Sequence, residues 1–290
     1  MIDLHTHSVK SDGSYTPTKL VDYAVTKGLT AFALTDHDTI DGIEEAKAHA
    51  DALRSLHKGE EVVIPEIIPG IEFSTEYHGR DIHIVGLDID IHNQSFCKKL
   101  QDFIDSRDGR NKKMAEKLAS VGIGISYEGL LSLFPDCVLT RAHFAKYLFE
   151  YGYVRSLKEA FDRYLGPDCP CYVPREKITP AQAVEQILSA GGIPVLAHPM
   201  IYHLENTKLE TLVSELKEVG LIGIEAIYCT HSPSEERYVR SLAARMNLCI
   251  SGGSDFHGDN KPGLDLGTGY GHLFVPDEVW TDLKTAKKNA

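Results

Sequence analysis

The sequence predicts an α/β protein in which repeated βα units lay down a mostly parallel sheet, open or closed into a barrel, interrupted by a helical insertion. Three observations lead there. Short apolar runs alternate with helix-like stretches over residues 1–94 and again over 173–290. Between them, 95–172 contains helical pattern and no convincing strand. Histidines and carboxylates recur where the apolar runs stop.

In order, Ile2 to His5 is a short apolar strand, followed by a polar loop. A helix begins at Pro17, whose fixed φ suits a first turn, and stops at Gly28. Leu29 to Thr35 is a buried strand, and Asp38 or Thr39 caps the next helix, whose interior Glu44-Glu45-Ala46-Lys47-Ala48 is strongly helix-forming. Strands follow at Ile67 to Phe73 and Ile82 to Leu87. From about Ser95 to Leu165 the pattern is helical, with basic stretches. Alternation then resumes with a helix from Pro180 to Ala190, a strand from Ile193 to Ala197 and a helix from Leu204 to Val219. A strand from Ile222 to Tyr228, a helix from Ser234 to Met246 and a strand from Leu248 to Ser251 complete it.

Composition narrows the function. The 290 residues carry 30 basic and 42 acidic side chains, a net charge of −12, with 42% hydrophobic and 25% charged residues. Such a chain fills a core, and its acidic balance argues against a duplex-wrapping protein, because non-specific nucleic-acid affinity comes from many cations releasing counterions. No window holds the ~18 consecutive apolar residues of a membrane span, and Met1-Ile2-Asp3-Leu4-His5 opens on a strand rather than a basic leader, so a cytoplasmic location is expected. Six cysteines are scattered in a chain too long to need stapling, and Cys169-Pro170-Cys171 lacks the second pair of a zinc ribbon. The anomaly is fourteen histidines.

His5-Thr6-His7 ends the first strand, and residues two apart on a strand face the same side, so both imidazoles can meet one ion. Asp12 follows in the next loop, Asp36-His37-Asp38 ends the second strand, and Glu72 ends the third after Pro69-Gly70. His83 lies in the alternating strand from Asp81 to Gly86. Ala197-His198-Pro199 and Ser254-Asp255-Phe256-His257 each follow an apolar strand directly, the latter through Gly252-Gly253. Active sites of such folds sit where strands end in loops. A single strand-end histidine is ordinarily just a hydrogen-bonded surface group; nine such groups in succession point to one rim. His49 and His57 in a charged helix, and His78, His92, His203, His231 and His272 in loops, are the expected solvated histidines.

Imidazole and carboxylate without thiolate suit Zn²⁺, Mn²⁺ or Fe²⁺ at a catalytic rather than a structural site, and nine ligands match two or three ions. Clustered cations clamp a phosphoryl group, lower the pKa of a bridging water and stabilise the leaving oxygen. The expected chemistry is therefore phosphoester hydrolysis by a metal-bridging hydroxide. No Gly-x-Ser-x-Gly elbow supplies a protein nucleophile, and Ser251-Gly252-Gly253-Ser254 reads as a close turn feeding Asp255 and His257 into the site. Asp38, beside His37, is placed to orient an imidazole or to protonate the leaving group.

These motifs resemble the PHP (polymerase and histidinol phosphatase) superfamily. The resemblance rests on His5-x-His7, Thr35-Asp36-His37-Asp38, Pro69-Gly70-Ile71-Glu72-Phe73-Ser74, His83, Ala197-His198-Pro199 and Ser254-Asp255-Phe256-His257, in that order and across nearly the whole chain. It implies a distorted (β/α)₇ barrel with a trinuclear metal site and a helical cap. By family role, His5, His7, Glu72 and Asp255 would hold one ion, Glu72 would bridge to a second held by His83 and His198, and Asp12, His37 and His257 would hold the third. Within the superfamily, Leu139-Thr140-Arg141-Ala142-His143-Phe144-Ala145 and the stretch from Tyr164-Leu165-Gly166 to Tyr172-Val173-Pro174 look like the branch of nucleoside 3′,5′-bisphosphate phosphatases and a bacterial 5′-to-3′ exoribonuclease. In that branch the insertion caps the metals and the Thr-Arg-x-His motif contacts phosphate, which implies that role for Arg141 and His143; an arginine fork suits two phosphate oxygens. Arg107, Arg110 and Asn111 are either a solvated helix start or a grip on a second phosphate.

The expected substrate is a small nucleotide (a nucleoside 3′,5′-bisphosphate, AMP) or a short 5′-phosphorylated RNA attacked from its end, with neither duplex DNA nor a membrane as partner. Two other readings compete. A phosphatase for a non-nucleotide phosphomonoester such as histidinol phosphate is disfavoured by the nucleotide-type insertion. A non-catalytic metal-binding module would have lost several ligands, whereas this chain keeps nine.

Overall fold

The computed structural model describes residues 1–174 and 178–289. They divide into two compact units, Met1–Cys97 with Ile178–Ala290, and Lys98–Lys177. The first unit contains β1 (Ile2–Thr6), α1 (Pro17–Thr26), β2 (Ala31–Leu34), α2 (Ile43–Leu56), β3 (Glu66–Tyr77) and β4 (Arg80–Leu87). The division falls near the start of α3 (Gln94–Ser120), and α4 (Tyr127–Leu133), α5 (Arg141–Glu150) and α6 (Leu157–Ala160) follow in the second unit. The first unit resumes with α7 (Pro180–Ser189), β5 (Ile193–Leu196), α8 (Asn206–Glu218), β6 (Gly223–Tyr228), α9 (Pro233–Arg245), β7 (Cys249–Gly253) and α10 (Asp277–Asn289).

The seven strands form one sheet in sequence order. β1 then meets the segment after β7: Thr6 bridges Phe256, His7 N–H donates to the Phe256 carbonyl at 2.9 Å and Asp255 N–H to that of His5 at 2.9 Å. Of the open and closed sheets the sequence allows, the chain makes the nearly closed barrel. Its interior follows the period-2 pleat. Ala31 and Ala33 of β2 pack with Ile2, Leu4, Val85 and Val195, while the alternate residues Phe32 and Leu34 pack with Leu20 and Val21 of α1 and Ile43 of α2.

Pairing is mostly parallel, as the pattern suggests, with β4 the exception, antiparallel to both β3 and β5. The cause is a two-residue hairpin, His78-Gly79, with φ of 49° and 77°, values that give the turn whose twist matches paired strands. Because β3 continues to Tyr77, Glu72 lies inside it rather than at its end. Neither Asp38 nor Thr39 caps α2, which starts after Gly42; Asp38 has φ of 53° and accepts the Ser74 N–H at 2.9 Å, and Thr39 Oγ1 accepts from Asp41 N–H. The sequence reading also ended at the last strand and missed α10, whose Val279, Trp280 and Leu283 join the barrel's core.

The second unit has its own core, built from Met114, Leu118, Leu130, Phe144, Leu148 and Leu165. Among the described residues, no helix is long and apolar enough to cross a membrane.

Candidate metal centre

The nine residues singled out from the sequence come together. Among the described residues, the groups whose ligand atoms lie close enough to share an ion are His7, Asp12, His37 and His257; His5, His7 and Asp255; His5, Glu72 and His198; and His37, Glu72 and His83. Backbone pairing at successive strand ends sets this up. Thr35 N–H donates to the Thr6 carbonyl, Glu72 N–H to that of Asp36 and Asp38 N–H to that of Glu72, which lays His37 beside Glu72. Gly253 lets β7 approach β1: a Cβ there would lie 2.4 Å from the Cβ of His5.

Glu72 is the centre of the arrangement. Its Oε2 faces His5 Nε2 at 3.2 Å, His7 Nε2 at 3.2 Å and His37 Nδ1 at 3.1 Å, and its Oε1 faces His83 Nδ1 at 2.8 Å and His198 Nε2 at 3.0 Å. Asp255 Oδ1 faces His7 Nε2 at 3.2 Å and His257 Nδ1 at 3.4 Å. Asp12 closes the far side, 3.2 Å from His257 Nε2 and 3.8 Å from His37 Nε2.

Burial opposes charge on every one of these carboxylates, yet each is held well below the usual carboxylate range. His37, His5 and His83 do this for Glu72, Lys261 and His257 for Asp255, and His37 and His257 for Asp12. The imidazoles divide. Burial disfavours charge on His7, but Asp255 and Glu72 outweigh it and lift its pKa to about 9; Glu72 and Glu225 likewise raise His5 despite burial. For His37 burial prevails and drops it to about 3.

The donor set fits divalent cations. Among the described residues, His5 Nε2, His7 Nε2 and His37 Nδ1 are buried with no hydrogen-bond partner although carboxylate oxygens stand about them. A buried ring nitrogen left without a partner costs free energy, and a bound cation is the group that several such nitrogens and the carboxylates among them can meet together. Nitrogen and oxygen donors without sulfur match Zn²⁺, Mn²⁺ or Fe²⁺.

Several supporting residues escaped the sequence reading. Glu225 of β6 accepts from His5 Nδ1 at 3.1 Å and from His198 N–H at 2.7 Å. Tyr228 O–H and Lys261 Nζ both donate to Asp255 Oδ2, at 2.7 and 2.6 Å, leaving Oδ1 toward the histidines. Asp36 braces the first loop through Ser8 N–H and the Ser11 hydroxyl, and Asp3 holds the Ser254 and Gly267 N–H groups; burial lifts Asp3 to about 6. A carboxylate inside an apolar strand was the available signal for Asp3 and Glu225. Of the histidines expected to be solvated, His49 and His57 pair with Asp22 and Glu60, and His78, His92, His203 and His272 are exposed. His231 is instead buried, because the loop after β6 folds back so that its Nδ1 meets the Ala226 carbonyl at 3.0 Å.

Over residues 3–166 the sequence matches the PHP domain family. This chain belongs to that family. It is 38% identical over 88% of its length to a 5′-3′ exoribonuclease of Haemophilus influenzae, covering 89% of that protein. A 3′,5′-nucleoside bisphosphate phosphatase of Chromobacterium violaceum is 34% identical, with 98% of this chain and 96% of that one covered. A solved structure from Chromobacterium violaceum, an amidohydrolase with bound sulfate, superposes with a TM-score of 0.84 at 33% identity, covering 98% of this chain and 96% of that one.

In this PHP protein's second unit, Arg141 is the first residue of α5 and its guanidinium lies 5.9 Å from the centre of the Tyr172 ring. His143 is buried and completes a capping box, its Nδ1 accepting the Thr140 N–H at 2.9 Å. Arg107, Arg110 and Asn111 lie in the middle of α3 and are buried, so the alternative of a solvated helix start is set aside. Asn111 Nδ2 donates to the Leu139 carbonyl at 2.9 Å.

Proposed function

We propose that this PHP protein hydrolyses phosphate esters of nucleotides, namely nucleoside 3′,5′-bisphosphates, AMP or short 5′-phosphorylated RNA from its end. Two or three divalent ions (Mn, Fe or Zn) would be held by His5, His7, Asp12, His37, Glu72, His83, His198, Asp255 and His257. The observation carrying the reading is one buried carboxylate, Glu72, faced by five imidazoles. Within that set, His5, His7 and Asp255 form one candidate site, His5, His198, His83 and His37 crowd the Glu72 oxygens, and Asp12, His37 and His257 form the site on the far side. Bound cations supply Lewis-acid stabilisation of the phosphoryl oxygens and acidify a bound water.

The chain's own side chains contribute orientation and charge. Tyr228 and Lys261 fix the Asp255 carboxylate. Asp38, tied to Ser74, stays the candidate to orient His37 or to protonate the leaving oxygen. Arg141 and His143 are assigned to a substrate phosphate, and Arg107, Arg110 and Asn111 to the grip on a second phosphate. The nucleotide assignment draws on the phosphatase and exoribonuclease relatives.

Phosphate release should be compared across AMP, adenosine 3′,5′-bisphosphate, short 5′-phosphorylated RNA, histidinol phosphate and plasmid DNA at fixed salt. Nucleotides and short RNA should lead. Histidinol phosphate far ahead of every nucleotide, or efficient nicking of the plasmid, overturns the assignment. Arg141→Ala should lower kcat/KM on nucleotides roughly ten- to a hundred-fold, the value of a charge-assisted hydrogen bond of about 1.5 to 3 kcal/mol. Metal content should not change; parallel loss of metal would make Arg141 a structural residue.

A further inference from the structure

Glu225 sits in the middle of β6 with its side chain buried in the barrel, an unusual position for a carboxylate. Strand register explains where it points. Leu196 pairs with Ile224, so the next residues on the two strands, Ala197-His198 and Glu225, run side by side, and Ser251 of β7 lies on the other flank. From there the carboxylate reaches two residues at once. Oε1 and Oε2 lie 3.1 and 3.3 Å from His5 Nδ1, and Oε2 accepts the His198 backbone N–H at 2.7 Å.

Each contact has a chemical consequence. A carboxylate only accepts, so the proton between it and His5 belongs on Nδ1. The lone pair of His5 is then on Nε2, the nitrogen that faces Glu72 at 3.2 Å and Asp255 at 3.7 Å. His198 has φ of 23° and ψ of 59°, a conformation side chains rarely adopt and one that needs external restraint. The hydrogen bond to its N–H supplies that restraint and aims Nε2 at Glu72 Oε1.

We infer that Glu225 is a positioning residue that prepares two histidines from different strands for one cation, by fixing the tautomer of His5 and the strained turn at His198. The inference rests on the metal-centre reading above. Glutamine replaces it poorly. With its oxygen in the place of Oε1, its NH₂ meets the His198 N–H, donor against donor; with its oxygen in the place of Oε2, within reach of both partners, its NH₂ lies against His5 Nδ1 and opposes the proton there.

The test is zinc binding by the metal-stripped full-length chain, titrated against a chelator of known affinity. Glu225→Gln should bind zinc roughly 10- to 100-fold more weakly than wild type, the range for loss of a histidine's outer partner, while its far-UV circular dichroism is unchanged. A brace for the fold alone would lower the thermal midpoint of the metal-free protein and leave zinc affinity where it was, and that result overturns the inference. A second measurement needs no variant. In the zinc-loaded wild type, long-range ¹H–¹⁵N correlation should place the His5 proton on Nδ1; a proton on Nε2 overturns the inference even if Glu225→Gln fails to fold. Wild type that binds no zinc, manganese or iron overturns the metal-centre reading itself and the inference with it, whereas normal binding by wild type and variant alike overturns the inference alone.

Discussion

Glu72→Gln should remove bound metal and turnover together. The substitution keeps the shape of the side chain but deletes the charge that five imidazoles surround, and its amide nitrogen would present hydrogens where one set of lone pairs now stands. The loss in metal affinity should exceed the roughly 10- to 100-fold attached to residues that only support a ligand. Turnover should fall below detection at any metal concentration that wild type saturates. Elemental analysis of the purified variant alongside kcat/KM checks both halves. A variant that keeps its metal and loses only activity would make Glu72 a group that touches substrate, not cation.

The second large effect belongs to Asp255→Asn. One oxygen of Asp255 is fixed by Tyr228 and Lys261, so the other is presented to His7 and His257 as a single, oriented donor. Asparagine removes the charge, leaves Lys261 without its counterion and can turn its amide nitrogen toward the centre. Cation stabilisation of a phosphoryl transition state is worth several kcal/mol, so kcat/KM should drop by at least about a hundredfold. His78→Ala is the control. Its ring lies on the exposed hairpin against Tyr77, and the rate should stay within about twofold of wild type, as for most surface changes. Equal, mild effects from the two variants would refute the ligand map.

Much of this centre was legible because its residues stand at places where an apolar run stops, and the hydrogen bonds that align strand ends are the ones any βα sheet must make. His5 and His7 could be read from the two-residue period alone. Glu72 was found for a partly mistaken reason: the strand continues past it, and the polar residues Ser74 to Tyr77 belong to a hairpin whose turn, His78-Gly79, carries no strong sequence mark. What stayed hidden depends on contacts far apart in the chain. Glu225, Tyr228 and Lys261 act only because β6 and the loop after β7 converge on His5 and Asp255, and no local periodicity records that convergence. His231 likewise looks like any loop histidine until the loop folds back on Ala226. The apolar face of α10 was readable, but its partners in the barrel lie hundreds of residues earlier, in Ile2 and Leu4.

The proposal that nine side chains hold catalytic divalent cations is checked by measuring metal content against activity. Protein purified without added metal should contain two or three transition-metal ions per chain by elemental analysis. Phosphate release from adenosine 3′,5′-bisphosphate should vanish on chelation and return when Mn²⁺, Fe²⁺ or Zn²⁺ is restored. A chain that holds no metal and releases phosphate at an undiminished rate in excess chelator would contradict the claim.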